Sequence, residues 1–261
     1  MKTLNIVIYW SYAALVFFVP LIFTPWNFEL FEFNKMVLVY FFTILIGISW
    51  IVKMILQKKI ILKKTFFDIP LILFLTSQII STVFSIDPHT SIFGYYSRFN
   101  GGLLSLLSYL ILYWGLVSNL NPKKTNSLVK IALGGGLLVS IYGIAQHFGI
   151  DKDYWVQDVQ RRIFSTLGQP NWLAAYLNVL IFLSLTRTSS EESSSNTIRG
   201  VSPAPISYLL FSIFYTTLLF TKSRSGFLGF VIPFATWTIF NVGTILGLSL
   251  PEKTKKLKNI G

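Results

Sequence analysis

The run Arg161-Arg162-Ile163-Phe164-Ser165-Thr166-Leu167-Gly168-Gln169-Pro170-Asn171-Trp172-Leu173-Ala174-Ala175-Tyr176 decides how the rest of the chain is read. Its first half is charged and turn-forming. Its second half opens directly into an apolar helix. Two arginines beside a Gly-x-Pro-Asn turn are costly near a bilayer unless they have an anionic partner. The surrounding chain is mostly hydrocarbon. Of 261 residues, 53% are hydrophobic and only 12% charged, against roughly 25% charged in a soluble domain. With a mean hydropathy of +0.62, the composition predicts an all-α, polytopic transmembrane helix bundle forming a single membrane domain over 1–261.

Outward from that run, eight apolar stretches approach the roughly 20 residues that span a bilayer. They lie near 4–23, 36–55, 67–84, 102–118, 128–148, 171–187, 205–221 and 225–246. The first has Lys2 before it and no small-residue cleavage site after it, only Phe23-Thr24-Pro25-Trp26. It reads as a retained span, with a cleaved signal peptide as the alternative. The absence of cysteine rules out a disulfide framework and a thiolate metal or redox site.

The charge pattern sets an expected orientation. With the N-terminus in the cytoplasm and alternating spans, 15 of the 22 basic residues fall inside and 7 outside. The acids divide the other way, so the inside carries a net +11 and the outside +1. This is the positive-inside pattern, with both termini cytoplasmic. It accounts for the total charge of +12 without invoking nucleic acid. The inside loop 56–66 holds the lysine cluster Lys58-Lys59 and Lys63-Lys64, suited to anionic headgroups. Residues 188–202 are Ser-rich and read as a flexible cytoplasmic linker. Residues 251–261 read as a basic cytoplasmic tail. The outside loops are aromatic, mixed in charge, and punctuated by Gly and Pro.

Three outside segments carry arginines. Arg161 and Arg162 precede a helix start at Pro170-Asn171, where free N–H groups and the positive end of the helix dipole favour an anion. Arginine presents a planar fork matched to phosphate oxygens. The competing reading makes both arginines interfacial anchors paired with Asp151, Asp153 or Asp158. The tight turn Lys222-Ser223-Arg224-Ser225-Gly226 places an arginine at the outer interface, with hydroxyls to bond freed backbone groups and a glycine for close approach. Its competing reading is a structural turn with a snorkelling arginine. Tyr95-Tyr96-Ser97-Arg98-Phe99-Asn100-Gly101-Gly102 surrounds Arg98 with aromatics, suited to sugar or phosphate contact, or equally to an interfacial aromatic cluster. His89 and His147 are candidate bases, more simply read as solvated or capping side chains. No His/Glu/Asp cluster has metal-ligand spacing, and there is no P-loop or dinucleotide fingerprint. No metal or cofactor is expected. Gly134-Gly135-Gly136 lies inside a span, where it permits close helix packing.

These segments resemble the O-antigen ligase and O-antigen polymerase superfamily. Arg162 to Leu177 resembles its "R-x-x-G/S-T-x-G-x-P-N-x-L-A-x-Y-L" pattern. Leu219 to Gly229 is similar to its "L-x-x-T-x-S-R-x-(G/A)-x-(L/I)-(G/A)" motif, and Tyr96 to Gly102 to its "R-x-x-G" outside loop. The resemblance implies a bacterial inner-membrane glycosyltransferase acting in cell-surface polysaccharide biosynthesis. Such proteins transfer glycan from an undecaprenyl-diphosphate carrier. By this resemblance Arg224 and Arg162, with Arg161 or Arg98, hold the carrier diphosphate on the outer face, and Asn171, Ser223, Ser225 and Gly226 support them.

The resemblance covers roughly the N-terminal two-thirds of a typical member. Members continue into a further outside loop carrying a histidine and an arginine implicated in activating the acceptor. Neither His89 nor His147 occupies that place. The expectation is a fragment, a chain acting with a downstream partner chain, or a chain that is not catalytic alone. The alternative function is a non-catalytic lipid-diphosphate-binding or transport subunit. Against transport, polar residues within spans are sparse and no internal repeat is visible.

Overall fold

The computed structural model describes residues 1–26, 28–195 and 204–245. Nine α-helices and two single 3-10 turns make up its regular structure, with no strand among the described residues. The helices are α1 (Lys2–Leu21), α2 (Glu32–Gln57), α3 (Asp68–Val83), α4 (Pro88–Phe93), α5 (Leu103–Asn119), α6 (Pro122–His147), α7 (Pro170–Ser195), α8 (Ala204–Phe220) and α9 (Arg224–Ile245). Each of the eight apolar stretches forms a helix. Three of these, α1, α2 and α6, are long and apolar enough to cross a membrane, while α3 and α5 are shorter apolar helices, as are Pro170–Leu185 and Ile206–Phe220.

Two boundaries differ from the sequence reading for one physical reason. An Asx residue followed by proline starts a helix: the side chain caps it, and the proline needs no hydrogen bond at the first position. Asn121 accepts from the Lys124 N–H at 2.9 Å, so α6 begins at Pro122 rather than near 128. Asp87 caps the six-residue α4 in the same way, within what reads as a plain loop. For a different reason, α7 continues to Ser195, eight residues into the expected linker. Nothing from Thr188 to Ser195 breaks a helix, since the first glycine is Gly200. The rest of that linker from 196 to 203, and the tail 251–261, lie outside the described residues.

The helices pack as two groups that share α6. One core joins α1, α2, α5 and α6 around Ile8, Tyr12, Ala13, Ile46 and Leu128. The other joins α6, α7, α8 and α9 around Val139, Leu177, Ile181, Phe214 and Phe230. Helices α3 and α4 lie outside, against each other and α5, and neither buries any residue.

The helices also carry large apolar side chains on their outer faces. In α2 the buried positions Met36, Val39, Thr43 and Ile46 alternate with the exposed stripe Val37, Phe41, Ile44, Ile48, Ile51 and Ile55. A helix apolar on all sides belongs in hydrocarbon or deep in a large protein. Several hydroxyls inside the helices are satisfied within their own helix. Thr43, Ser108, Thr82 and Thr217 each donate to the carbonyl four residues back, which removes the need for water.

Successive long helices run in alternate directions. The end of α1, the start of α2, the start of α5 and the end of α6 meet at one end of the bundle. There Thr166 Oγ1 donates to the Pro20 carbonyl, Arg98 pairs with Glu32, and Gln146 receives the Ser165 N–H. The start of α1 and the ends of α2 and α5 meet at the other end, with Gln57 beside Met1 and Lys53 on Asn119.

Candidate functional site

The stretch between α6 and α7 enters the bundle. Ile163, Phe164, Ser165 and Thr166 are all buried, although their backbone is not α-helical. Irregular backbone at such a place is tolerated only where protein groups satisfy it. Gln146, fully buried near the end of α6, does this. Its Oε1 accepts from the Ser165 N–H at 2.7 Å and from Phe164 at 3.4 Å, while its Nε2 donates to Asp151 Oδ2 at 3.1 Å. Ser165 Oγ donates to the Val139 carbonyl at 2.6 Å. Lys35, on the first turn of α2, donates from Nζ to the Thr166 carbonyl at 2.7 Å and to the Ile22 carbonyl at 2.6 Å. One ammonium thus ties the inserted loop to the end of α1.

Gly168, at φ +80°, ends the inserted segment. A Cβ there would lie 2.4 Å from the Phe31 ring. Pro170 then opens α7, as its fixed φ and missing N–H favour. The arrangement fixes Arg162 at the loop's entrance and Asn171 on the first turn of α7.

The third segment joins these two. Only three residues separate α8 from α9. Ser223 precedes α9 and caps it, its Oγ accepting from the Gly226 N–H at 3.1 Å. The same hydroxyl donates to Asn171 Oδ1 at 2.8 Å and lies 3.2 Å from Ser225 Oγ. Arg162 Nε donates to the Thr221 carbonyl at 3.2 Å, and its Nη2 reaches Asn171 Oδ1 at 3.5 Å. Ile163 N–H donates to the Phe220 carbonyl at 3.4 Å, and Asn178 Nδ2 to the Gly226 carbonyl at 2.8 Å. Gly226 is needed for this closeness, since a Cβ would fall 2.4 Å from Ala174 Cβ.

The structure thus unites Arg162 and Asn171 of one segment with Ser223, Ser225 and Gly226 of another. Arg224 follows Ser223 on the first turn of α9, exposed. It lines a cleft of about 380 Å³ whose other walls include Leu218, Leu219, Lys222, Phe227 and Leu228. The cleft is apolar-walled with a basic rim. Arg161 is exposed, and its backbone N–H donates to Asp158 Oδ1 at 3.1 Å. No carboxylate pairs with the side chains of Arg161, Arg162 or Arg224 among the described residues. The anchoring partners Asp151, Asp153 and Asp158 therefore do not serve these arginines. Asp151 instead accepts from Tyr142, Gln146 and Trp155.

Arg98 differs. Its Nε is 3.0 Å from Glu32 Oε2 and 3.9 Å from Glu29 Oε2. Its guanidinium lies 5.7 Å from the Tyr95 ring centroid and 5.6 Å from that of Trp172. It lines a separate cleft of about 330 Å³ with Glu29, Gln169 and Trp172. Arg98 approaches the site only through Trp172, the neighbour of Asn171, and its charge is already partnered.

His147 ends α6 with Nδ1 2.9 Å from the Gln160 carbonyl. A carbonyl only accepts, so Nδ1 is the donor in that hydrogen bond. Its ring stacks on Phe220 at 3.9 Å between centroids. His89 packs on Phe93 in α4. Neither histidine forms a hydrogen bond to Arg162, Asn171 or Ser223. The groups that sequence reasoning passes over are Lys35, Gln146, Thr221 and Asn178. The acids Glu29 and Glu32 are visible in the sequence as carboxylates on Arg98's expected face, and that is the signal for their pairing.

No family model, no characterised protein and no solved structure matches the chain.

Proposed function

We propose that this is a polytopic protein of the bacterial inner membrane, with eight spans and both termini cytoplasmic, acting on an undecaprenyl-diphosphate-linked glycan at the outer face. Arg162 and Arg224 hold the carrier diphosphate, with Arg161 at the rim. Asn171, Ser223, Ser225 and Gly226 fix the two chain segments that present them. The observation that supports this reading is the convergence of Arg162 and Asn171 with Ser223 from a distant segment, with no carboxylate on Arg162 or Arg224 among the described residues. An unpaired guanidinium beside an apolar-walled cleft matches a ligand with an anionic head and a hydrocarbon tail.

In transfer, the acceptor oxygen attacks the anomeric carbon and loses its proton. The bond from that carbon to the phosphate oxygen breaks, and the diphosphate leaves with its electron pair. Arginines already in place stabilise the charge growing on the leaving group. One observation favours the second reading, a non-catalytic lipid-diphosphate-binding subunit: no histidine bonds to the arginine cluster among the described residues. A partner chain would then supply the base.

The test is binding of undecaprenyl-diphosphate-linked glycan by the purified chain and by Arg162→Lys and Arg224→Lys. Each change is expected to weaken binding about 10-fold or more, the equivalent of one charge-assisted hydrogen bond of about 1.5 kcal/mol. Unchanged binding by both overturns the assignment. Glycan transfer by the chain alone separates the transferase from the binding subunit.

A further inference from the structure

The opposite end of the bundle holds a further cleft, of about 400 Å³, between the start of α1 and the ends of α2 and α5. Lys53, Lys59 and Lys63 line it with Asn5, Gln57 and Ser118, and no carboxylate contributes to its walls. Lys53 is only 8% exposed. Its ammonium carries three donors and has one recorded acceptor, Asn119 Oδ1 at 2.9 Å. Lys124, on the first turn of α6, is near enough to repel it. No acid forms an ion pair with any of these lysines among the described residues. Lys35 at the other end is also held in the protein, but it has two carbonyl acceptors and Glu29 and Glu32 nearby. The stem of Lys53 is buried while its ammonium, part-buried against Asn119, lines the cleft without a counterion, a placement that favours an anion.

The cleft is held in shape. Lys58 takes the left-handed conformation after α2, and the Lys58 and Lys59 N–H groups cap the Ile55 and Met54 carbonyls. Trp50 Nε1 donates to the Ile61 carbonyl at 3.0 Å, and the Lys63 N–H to Ser118 Oγ at 3.1 Å. These bonds pin the loop across the ends of α2 and α5. The same loop turns Ile60 and Leu62 outward, at 81% and 56% exposed. Lysine pairs thus flank exposed aliphatic groups at one edge, a pattern that fits a headgroup and its acyl chains together.

We propose that this cleft binds the phosphate of an anionic phospholipid, with Lys53 as the deep contact and Lys59 and Lys63 at the rim. Bound there, the headgroup neutralises Lys53 while its chains lie along Ile60 and Leu62. This site is separate from the arginine cluster and stands whatever that cluster binds.

The test compares unfolding midpoints of the full chain in nanodiscs of phosphatidylcholine, of phosphatidylcholine with phosphatidylglycerol, and of phosphatidylcholine with inorganic phosphate. Phosphatidylglycerol is expected to raise the midpoint and inorganic phosphate to give a smaller rise. Lys53→Met, which keeps an unbranched side chain, and the exposed pair Lys59→Gln with Lys63→Gln are each expected to lose at least half of the lipid-dependent rise. Should Lys53→Met fail to fold, the rim pair decides. Equal midpoints in the two lipids, or a rise that survives in the rim pair, overturns the proposal. A full rise with inorganic phosphate alone overturns the assignment to lipid.

Discussion

Gln146 shows what a single side chain does for the site. It sits fully buried at the end of an apolar helix and satisfies the Ser165 N–H, which no helix or sheet partner could reach. In Gln146→Leu the volume is nearly kept but that N–H loses its acceptor and Asp151 loses a donor. A buried unsatisfied group costs about 1–3 kcal/mol, so the unfolding midpoint in detergent should fall by the equivalent. The loop from Ile163 to Gly168 should also become cleavable by protease. Retention of wild-type stability and protection would show that water replaces the amide. Arg162, Asn171 and Ser223 are legible in the sequence because they are polar residues at breaks between apolar runs. Gln146 and Lys35 are not, because each reads as an ordinary polar residue at a helix end. Their meaning comes mainly from acceptors and donors more than ten residues away.

At the scale of helices, glycine and capping decide fit. The three adjacent glycines Gly134-Gly135-Gly136 in α6 look alike in sequence and differ in the fold. A Cβ on Gly134 would meet nothing, one on Gly135 would touch the Phe17 backbone at 3.4 Å, and one on Gly136 would fall 2.1 Å from Leu180 Cδ1. Gly134→Ala should therefore be neutral or stabilise by up to about 1 kcal/mol through helix propensity. Gly226→Ala should cost about 1–3 kcal/mol, because α9 must move away from Ala174. The same movement separates Ser223 from Asn171, so lipid-diphosphate binding should weaken with it. Chemical denaturation of the two variants checks the ordering. Capping also gives a pH dependence. Asp87 accepts from the Thr90 N–H and hydroxyl, and these bonds hold its carboxyl below the usual range. A carboxylate with a lowered folded-state pKa contributes stability above its unfolded pKa and loses it as pH falls through the folded value. Order in α4 should fade only in acid, as read by fluorescence from a probe on that helix. Asp87→Asn should keep the cap and abolish the acid transition, whereas Asp87→Ala should lose α4 order at neutral pH. Asx-Pro starts are written plainly in the sequence at Asp87-Pro88 and Asn121-Pro122. The apolar pattern hides them, because it begins only after the charged first turn.

The whole molecule is set by where its uncovered apolar surface faces. Helices α2, α3 and α9 turn Ile44, Ile48, Phe74, Ile80, Leu228 and Ile232 outward, so a hydrocarbon surround is the environment that stabilises this packing. The eight apolar runs were readable because hydrophobic stretches of this length signal helices whatever their neighbours do. Their pairing into two groups around α6 was not, because hydropathy carries no information on which face meets which helix. Alternating helix directions give a consequence that can be measured directly. The loops at Lys64 and Lys123 end on the side of Lys53, while those at Tyr96 and Asp153 end on the side of Arg162. All four residues are exposed. The chain contains no cysteine, so Lys64→Cys, Lys123→Cys, Tyr96→Cys and Asp153→Cys each give one reactive thiol. In sealed vesicles of known orientation, a membrane-impermeant maleimide should label Tyr96→Cys and Asp153→Cys from one side only. The other two should react only after the membrane is opened, or from the opposite side. In the proposed orientation the Lys64 and Lys123 side faces the cytoplasm, so intact cells stripped of their outer envelope should label the Tyr96 and Asp153 variants. Labelling of all four from one side would break the alternating arrangement, and labelling of the lysine-side pair in intact cells would invert it.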